Sequence, residues 1–288
     1  MSGIMSGKVC LVTGATSGIG QVTARELAKM DATVIVVGRN RERCEATVAD
    51  IKRRSASDKV EFMQADLSSQ ESIRDLAKTF TAKYDQLQVL VNNAGGIFGK
   101  RETTVDGLEM TFALDHLAYV LLTELLLPAL ERGAPARIVN VSSSAQAGGK
   151  INFDDLQGEK RYSAWRAYNQ AKLANVLFTY ELARRLQGTG MTATCLHPGF
   201  VATGFAQNNS GPLQTLTKAG QRVFAISPEK GAETSIFLAS SPLVEGVTGQ
   251  YFAGKKPKKS SRRSYDEADA RRLWEVSERL TGLTARTA

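Results

Sequence analysis

The segment RAYNQAKLANVLF, residues 166–178, sets Tyr168 and Lys172 four residues apart. On a helix, that spacing stacks two side chains on one face. A free phenol has a pKa of about 10 and is a poor base near neutrality. A cation about 4 Å away, at an effective dielectric near 20, favours the phenolate by roughly 4 kcal/mol, or about three pKa units. Such a pair could give or take a proton at neutral pH. The same spacing also arises by accident on surface helices, so its surroundings must decide.

A second chemical signature lies near the start of the chain. TGATSGIG, Thr13 to Gly20, follows the β-rich run KVCLVTG and opens a stretch with helical spacing. Gly14, Gly18 and Gly20 allow a tight turn and close backbone approach, and the helix beyond offers unpaired N–H groups to a pyrophosphate. The simpler alternative is a tight turn with no ligand. The next apolar run ends in VVGRN. Dinucleotide sites that select NAD usually carry an acidic residue there. This chain has Gly38 and Arg39 instead, with Arg41 and Arg43 close behind. A guanidinium suits a phosphate, which favours NADP over NAD. Otherwise Arg39 is a solvated residue at a helix start.

The elements that would position these residues alternate along the chain. Apolar strand-like runs at 8–14, 32–38, 59–66, 87–95, 136–143 and 191–199 are separated by helical patterns at 18–30, 40–54, 72–84, 106–131 and 163–187. The strands read as continuous apolar runs, which predicts a parallel sheet buried on both faces. Strand–helix alternation with right-handed crossovers predicts an α/β, doubly wound Rossmann-type fold with helices on both faces. A single domain over 1–288 is expected. Two segments depart from the rhythm: the polar, glycine-rich 144–162, and 204–227. Ligands in such sheets bind beyond the carboxyl ends of the strands, so these segments are candidates for pocket and lid. Leu213, Leu216, Val223, Phe224 and Ile226 would give the second an apolar face.

Composition narrows the classes. Hydrophobic residues make up 42% and charged residues 23%, ordinary for a water-facing globular domain. Cys10, Cys44 and Cys195 are odd in number and show no paired spacing, which points to a reducing, cytoplasmic setting. His116 and His197 stand too far apart to suggest a metal site. No signal peptide and no membrane span are expected; LAYVLLTELLLPAL, interrupted by Glu124 and Pro128, reads as a buried helix. The net charge of +8 is concentrated partly in KKPKKSSRR, residues 255–263, within a basic C-terminal segment 255–288. That run is either a solvated loop or a contact for anionic lipid headgroups. No aromatic platform accompanies it, so nucleic acid is not expected as a partner.

Together these motifs resemble the short-chain dehydrogenase/reductase family over nearly the whole chain, and within it the retinol dehydrogenase-like branch. TGATSGIG is similar to the family's cofactor loop, NNAG at 92–95 to its strand-4 motif, and YNQAK to its Tyr-x-x-x-Lys. QADL at 64–67 resembles its adenine-binding turn and HPGFVAT at 197–203 its segment around the nicotinamide. The text from RIVNVSSSAQAGGKINFDDL through LARRLQGTG, and the ending GQYFAGKKP with LWEVSERLTGL, are similar to the branch. The resemblance implies NADP(H) held by Gly14, Thr16, Ser17, Gly18, Ile19, Gly20, Arg39, Asp66, Leu67, Asn93, Ala94, Gly95, Tyr168, Lys172, Pro198, Gly199, Val201 and Thr203. It implies Tyr168 as proton donor or acceptor, Lys172 beside it and on the nicotinamide ribose, and a serine that orients the substrate oxygen.

Ser142, Ser143 and Ser144 run together, and strand alternation sets Ser143 opposite its neighbours. The family pattern selects Ser143. Asp115 stands in FALDHLAYVLLT where relatives typically read asparagine, whose role is to anchor a water in the proton relay. A carboxylate cannot donate a hydrogen bond, but it could face Lys172 and partly cancel its pull on Tyr168. The expected substrate is a small lipophilic aldehyde, ketone or alcohol. The alternatives are a generic carbonyl reductase of xenobiotics, or a catalytically weak NADP-binding sensor or scaffold. Relatives often dimerise or tetramerise through helices matching 106–131 and 163–187, so the resemblance leaves the assembly open, with a homodimer one candidate.

Overall fold

The computed structural model describes residues 3–199 and 226–283. Seven strands form the parallel part of one sheet: β1 Val9–Thr13, β2 Thr33–Gly38, β3 Val60–Gln64, β4 Val89–Asn92, β5 Ala136–Val141, β6 Met191–His197 and β7 Gln250–Ala253. The two-residue β8, Lys256–Pro257, turns back antiparallel on β7. The order is β3-β2-β1-β4-β5-β6-β7-β8, so the winding direction reverses between β1 and β4. The helices are α1 Gly18–Lys29, α2 Arg41–Ser55, α3 Gln70–Lys83, α4 Met110–Arg132, α5 Ala164–Arg185, α6 Pro228–Ser240 and α7 Glu267–Leu280. A 3-10 turn, Ser144–Gly148, follows β5.

Successive strand residues serve opposite faces, as pleating requires. Leu11, Ile35, Leu90 and Ile138 pack with α3, α4 and α5. Cys10, Val12, Val34, Val36, Val89, Val91 and Val139 pack with α1, α2 and α6. The doubly wound architecture is the expected one. β8 is an antiparallel addition to the expected parallel sheet. The apolar helix α4 is long enough to cross a membrane by length and composition, but most of it is buried against the sheet.

The sequence pattern did not single out α6, β7 or α7. The last of these lies in the segment read only as basic. Its Asp266 caps the helix by accepting from Asp269 N–H, and Trp274 stacks on Phe178 of α5 with ring centroids 5.4 Å apart. The Arg185 guanidinium lies 4.2 Å over the Trp274 ring. Ala270, Leu273 and Trp274 fall at helical spacing on one face, so the element could have been read from the sequence; what α5 adds is the partner that face packs on.

His116 fastens these helices together. It is fully buried, with Nδ1 3.2 Å from Asn175 Oδ1 and Nε2 3.0 Å from Ser277 Oγ. Asn175 donates its amide N–H to the Asp115 carbonyl, so its oxygen is left to accept. Burial pushes the imidazole pKa down to about 4, and Lys172 adds to that. The unfolded chain protonates near 6.5 and the folded one near 4, so the contribution is intact above about 6.5 and is lost as pH falls toward 4. At about 1.4 kcal/mol per unit this is at most about 3.5 kcal/mol. Urea midpoints at pH 7 and pH 5 should fall further for wild type than for His116→Gln; equal losses would contradict this.

Candidate active site

The reversal between β1 and β4 opens a crevice at the carboxyl ends of the strands, where open α/β sheets bind ligands. Thr13 stitches its rim. The Thr13 hydroxyl accepts from Asn93 N–H at 2.8 Å and Ala94 N–H at 3.0 Å. The Asn93 amide donates back to the Thr13 carbonyl at 2.8 Å. The glycine loop lies against this rim so tightly that a Cβ on Gly14 would sit 2.8 Å from Ala94 Cα. On Gly20 it would sit 2.5 Å from Asn93 Nδ2 and 2.6 Å from the Gly14 carbonyl oxygen. Gly14 and Gly18 have positive φ, +62 and +57. Thr16 rests over Gly38, and Ser17 leads into α1 without a side-chain cap. Ile19 is half-buried, and no acidic residue occupies the first turn. The α1 N-terminus is therefore open to an anion.

Arg39 follows β2 directly and is exposed, making no ion pair among the described residues. Arg41 is engaged with Glu45 at 2.8 Å. Asp66 accepts from the Ser68 backbone and hydroxyl at 3.0 and 2.7 Å, so it shapes its own turn. Leu67 points into the core. Pro198 and Gly199 follow β6, with Gly199 at φ +90 and its N–H on His197 Nδ1 at 3.2 Å. Val201, Thr203 and the expected lid up to residue 225 lie outside the described residues.

Across the crevice, α5 carries Tyr168 and Lys172, 7% and 4% exposed. The three serines are told apart by their partners. Ser142 is buried and donates to the Lys172 carbonyl at 2.7 Å, whereas Ser144 is exposed. Ser143 lies near enough to the Tyr168 phenol to favour its ionised form, and its hydroxyl accepts from Ala145 N–H at 3.2 Å. Lys172 Nζ lies 3.0 Å from Asp115 Oδ2 and 5.4 Å from the centre of the Tyr168 ring. Asp115 sits in a π turn of α4, Ala113–Leu117, fully buried, and Oδ1 accepts from Gly96 N–H at 2.8 Å. A Cβ on Gly95 would come within 3.1 Å of both carboxylate oxygens.

Burial and then the Asp115 charge push the Tyr168 phenol above its ordinary range, and Ser143 only partly offsets them. This differs from the acidified tyrosine expected from the Tyr–Lys spacing. Burial is the larger reason, and the ammonium that would oppose it already faces a carboxylate. Burial also raises the Asp115 carboxyl, against the pull of Lys172 and the Gly96 N–H.

Residues 8–213 match the family described as short chain dehydrogenase. Human retinol dehydrogenase 14 is 42% identical over 98% of this chain and 88% of its own length. Human retinol dehydrogenase 13 is 43% identical over 97% and 86%. A solved protein of Mycobacterium Paratuberculosis is 35% identical, with TM-score 0.79 over 96% of this chain and 94% of that one. The Pseudomonas aeruginosa RhlG/NADP active-site complex is 27% identical, with TM-score 0.70 over 88% and 96%. The chain belongs to the short-chain dehydrogenase family. It is an oxidoreductase of CH–OH and C=O groups, similar to the retinol dehydrogenases.

Several residues that shape the site in this short-chain dehydrogenase escaped the sequence reading. Asn175 binds the Asp115 carbonyl at 2.8 Å. It lies seven residues after Tyr168, on the same helical face, so the spacing could have found it. Tyr119, fully buried, donates to the Ala94 carbonyl at 2.8 Å, and Tyr251 to the Ser143 carbonyl at 3.4 Å. Nothing local marks those two. Among the described residues no cluster suited to a metal ion is present.

Gly20→Ala meets a backbone oxygen that cannot swing aside. It should cost about 1–3 kcal/mol of stability and weaken dinucleotide affinity, by fluorescence titration, more than about tenfold.

Proposed function

We propose that this short-chain dehydrogenase uses NADP(H) to interconvert a lipophilic aldehyde or ketone and its alcohol. The observation that carries the reading is buried Tyr168 with Lys172 one turn on and Ser143 beside the phenol, across the crevice from an α1 N-terminus without side-chain cap or acidic residue. The residues present fit a dinucleotide: a glycine loop with no room for a Cβ, an open helix N-terminus, and an exposed guanidinium after β2.

Gly14, Thr16, Ser17, Gly18, Ile19 and Gly20 would hold the pyrophosphate, and Arg39 the additional phosphate of NADP. Asp66 and Leu67 would flank the adenine. Asn93, Ala94, Gly95, Pro198 and Gly199 would border the rest, with Val201 and Thr203 beyond them. The bound nicotinamide supplies hydride chemistry. Ser143 would orient the substrate oxygen, Tyr168 would exchange a proton with it, and Lys172 would hold the ribose hydroxyls. The apolar patch of Ile97 and Tyr168 with Ala145 and Ala164, and Trp165 beside Tyr168, support a lipophilic substrate. The kinship to retinol dehydrogenases supports it too. Three free, buried cysteines support a reducing, cytoplasmic setting.

Tyr168→Phe should lower kcat with a panel of long-chain aldehydes by about 10²–10⁴-fold and leave NADPH affinity nearly unchanged. Full activity would overturn the assignment, and binding without turnover on any substrate would favour a sensor. Arg39→Glu should raise the Kd for NADPH by at least about tenfold, with a much smaller effect on NADH; equal effects on the two cofactors would remove Arg39 from the site.

A further inference from the structure

We propose that Asp115 holds Tyr168 in its phenol form through neutral pH by pairing with Lys172, so that carbonyl reduction finds its proton in place while alcohol oxidation gains its base only at alkaline pH. The inference rests on the reading of Tyr168 and Lys172 as the proton-handling pair. In reduction, the substrate carbon accepts a hydride from NADPH and its oxygen accepts the phenolic proton. The resulting phenolate is reprotonated from solvent. In oxidation, the phenolate would take the hydroxyl proton while the carbon gives its hydride to NADP⁺, leaving the carbonyl.

The geometry separates two jobs of one side chain. Oδ1 of Asp115 accepts the Gly96 N–H at 2.8 Å, and an asparagine carbonyl oxygen would do the same. Oδ2 lies 3.0 Å from Lys172 Nζ, where an asparagine would present an N–H donor to an ammonium. The two residues have nearly the same shape, so the exchange keeps the Gly96 bond and removes only the charge that faces Lys172. With an amide there, the ammonium is left to act on Tyr168, whose ring centre is 5.4 Å away.

The other groups around the pair do not replace this charge. From α4, His116 turns away to Asn175 and Ser277, and burial keeps it neutral near pH 7. Tyr119 donates to the Ala94 carbonyl, and burial holds it protonated. Glu109, at the start of α4, is committed to the Thr111 and Phe112 N–H groups at 2.8 Å. From β5, Ser143 contributes a neutral hydroxyl. Lys172, from α5, is the cation acting on Asp115. Asp115 is thus a positioning residue that works through Lys172.

The test compares wild type with Asp115→Asn. Profiles of kcat/KM against pH should show wild-type oxidation still rising at about pH 9 and reduction still on its plateau there. In Asp115→Asn both inflections should move down by at least about one unit. A second measurement needs no turnover: ¹³Cζ-tyrosine NMR of the cofactor-free protein, with Tyr168 assigned through Tyr168→Phe. The wild-type Tyr168 signal should not titrate below about pH 10. Superimposable kinetic profiles, or a wild-type Tyr168 that titrates near neutrality, would overturn the inference. The same titration of Asp115→Asn, or of Asp115→Ser if the amide variant does not fold, should move the Tyr168 signal down by at least about one unit, and an unmoved signal would overturn the inference. Lack of turnover with every carbonyl would defeat the functional reading, and the NMR result would still judge Asp115.

Discussion

A file of buried amides and hydroxyls runs from the middle of the sheet to the C-terminal helix. Asn92 donates to Thr123 at 3.0 Å and to Asn140 at 2.9 Å. Asn140 donates to Thr179 at 3.0 Å, and Thr179 to the Asn175 carbonyl at 2.7 Å. Asn175 then binds both the Asp115 carbonyl and His116, and His116 reaches Ser277. Each such bond adds only about 1 kcal/mol net, but leaving a buried partner unmade costs about 1–3. The file therefore specifies one rotation and one height for α5 against the sheet. Every distance at Tyr168 and Lys172 follows from that placement.

The π turn in α4 is part of the same arrangement. One extra residue in the turn carries the Asp115 side chain toward Gly96 and Lys172 and leaves its carbonyl to Asn175. The Asp115–Lys172 pair is nearly without solvent. Desolvation makes such a pair a poor source of net stability, yet removing one partner strands a charge. Its value lies in electrostatics: a closed ion pair projects less positive potential onto its neighbour than a lone ammonium does.

The opposite wall of the crevice depends on contact rather than charge. Thr13 and Asn93 lock the ends of β1 and β4 together, and the glycine loop lies against them without space for a methyl group. That closeness leaves backbone N–H groups at the α1 N-terminus facing the crevice. The C-terminal run Ser260–Arg263 braces the far side. Arg263 donates to the Gly149 carbonyl at 2.8 Å and the Ser261 N–H to Gln146 at 3.1 Å, holding the turn that begins at Ser143.

Local pattern was enough for much of this. Continuous apolar runs such as TVIVVG declare doubly buried strands, and TGATSGIG between strand and helix declares a tight turn, because both follow from nearest-neighbour sterics and pleating. α7 was missed although its apolar positions recur at helical spacing, whereas β7, four residues long, is defined as a strand only by pairing beside β6. By itself, the sequence determined the sheet, the glycine loop and the helical pairing of Tyr168 with Lys172, all set by short-range geometry. The family pattern had named Ser143 and raised Asp115 as a counter-charge, but tertiary structure alone decided how deeply Tyr168 is buried and that the Asp115 carboxylate reaches Lys172. Those outcomes depend on burial and on a carboxylate brought in from another helix, and neither is encoded in local spacing.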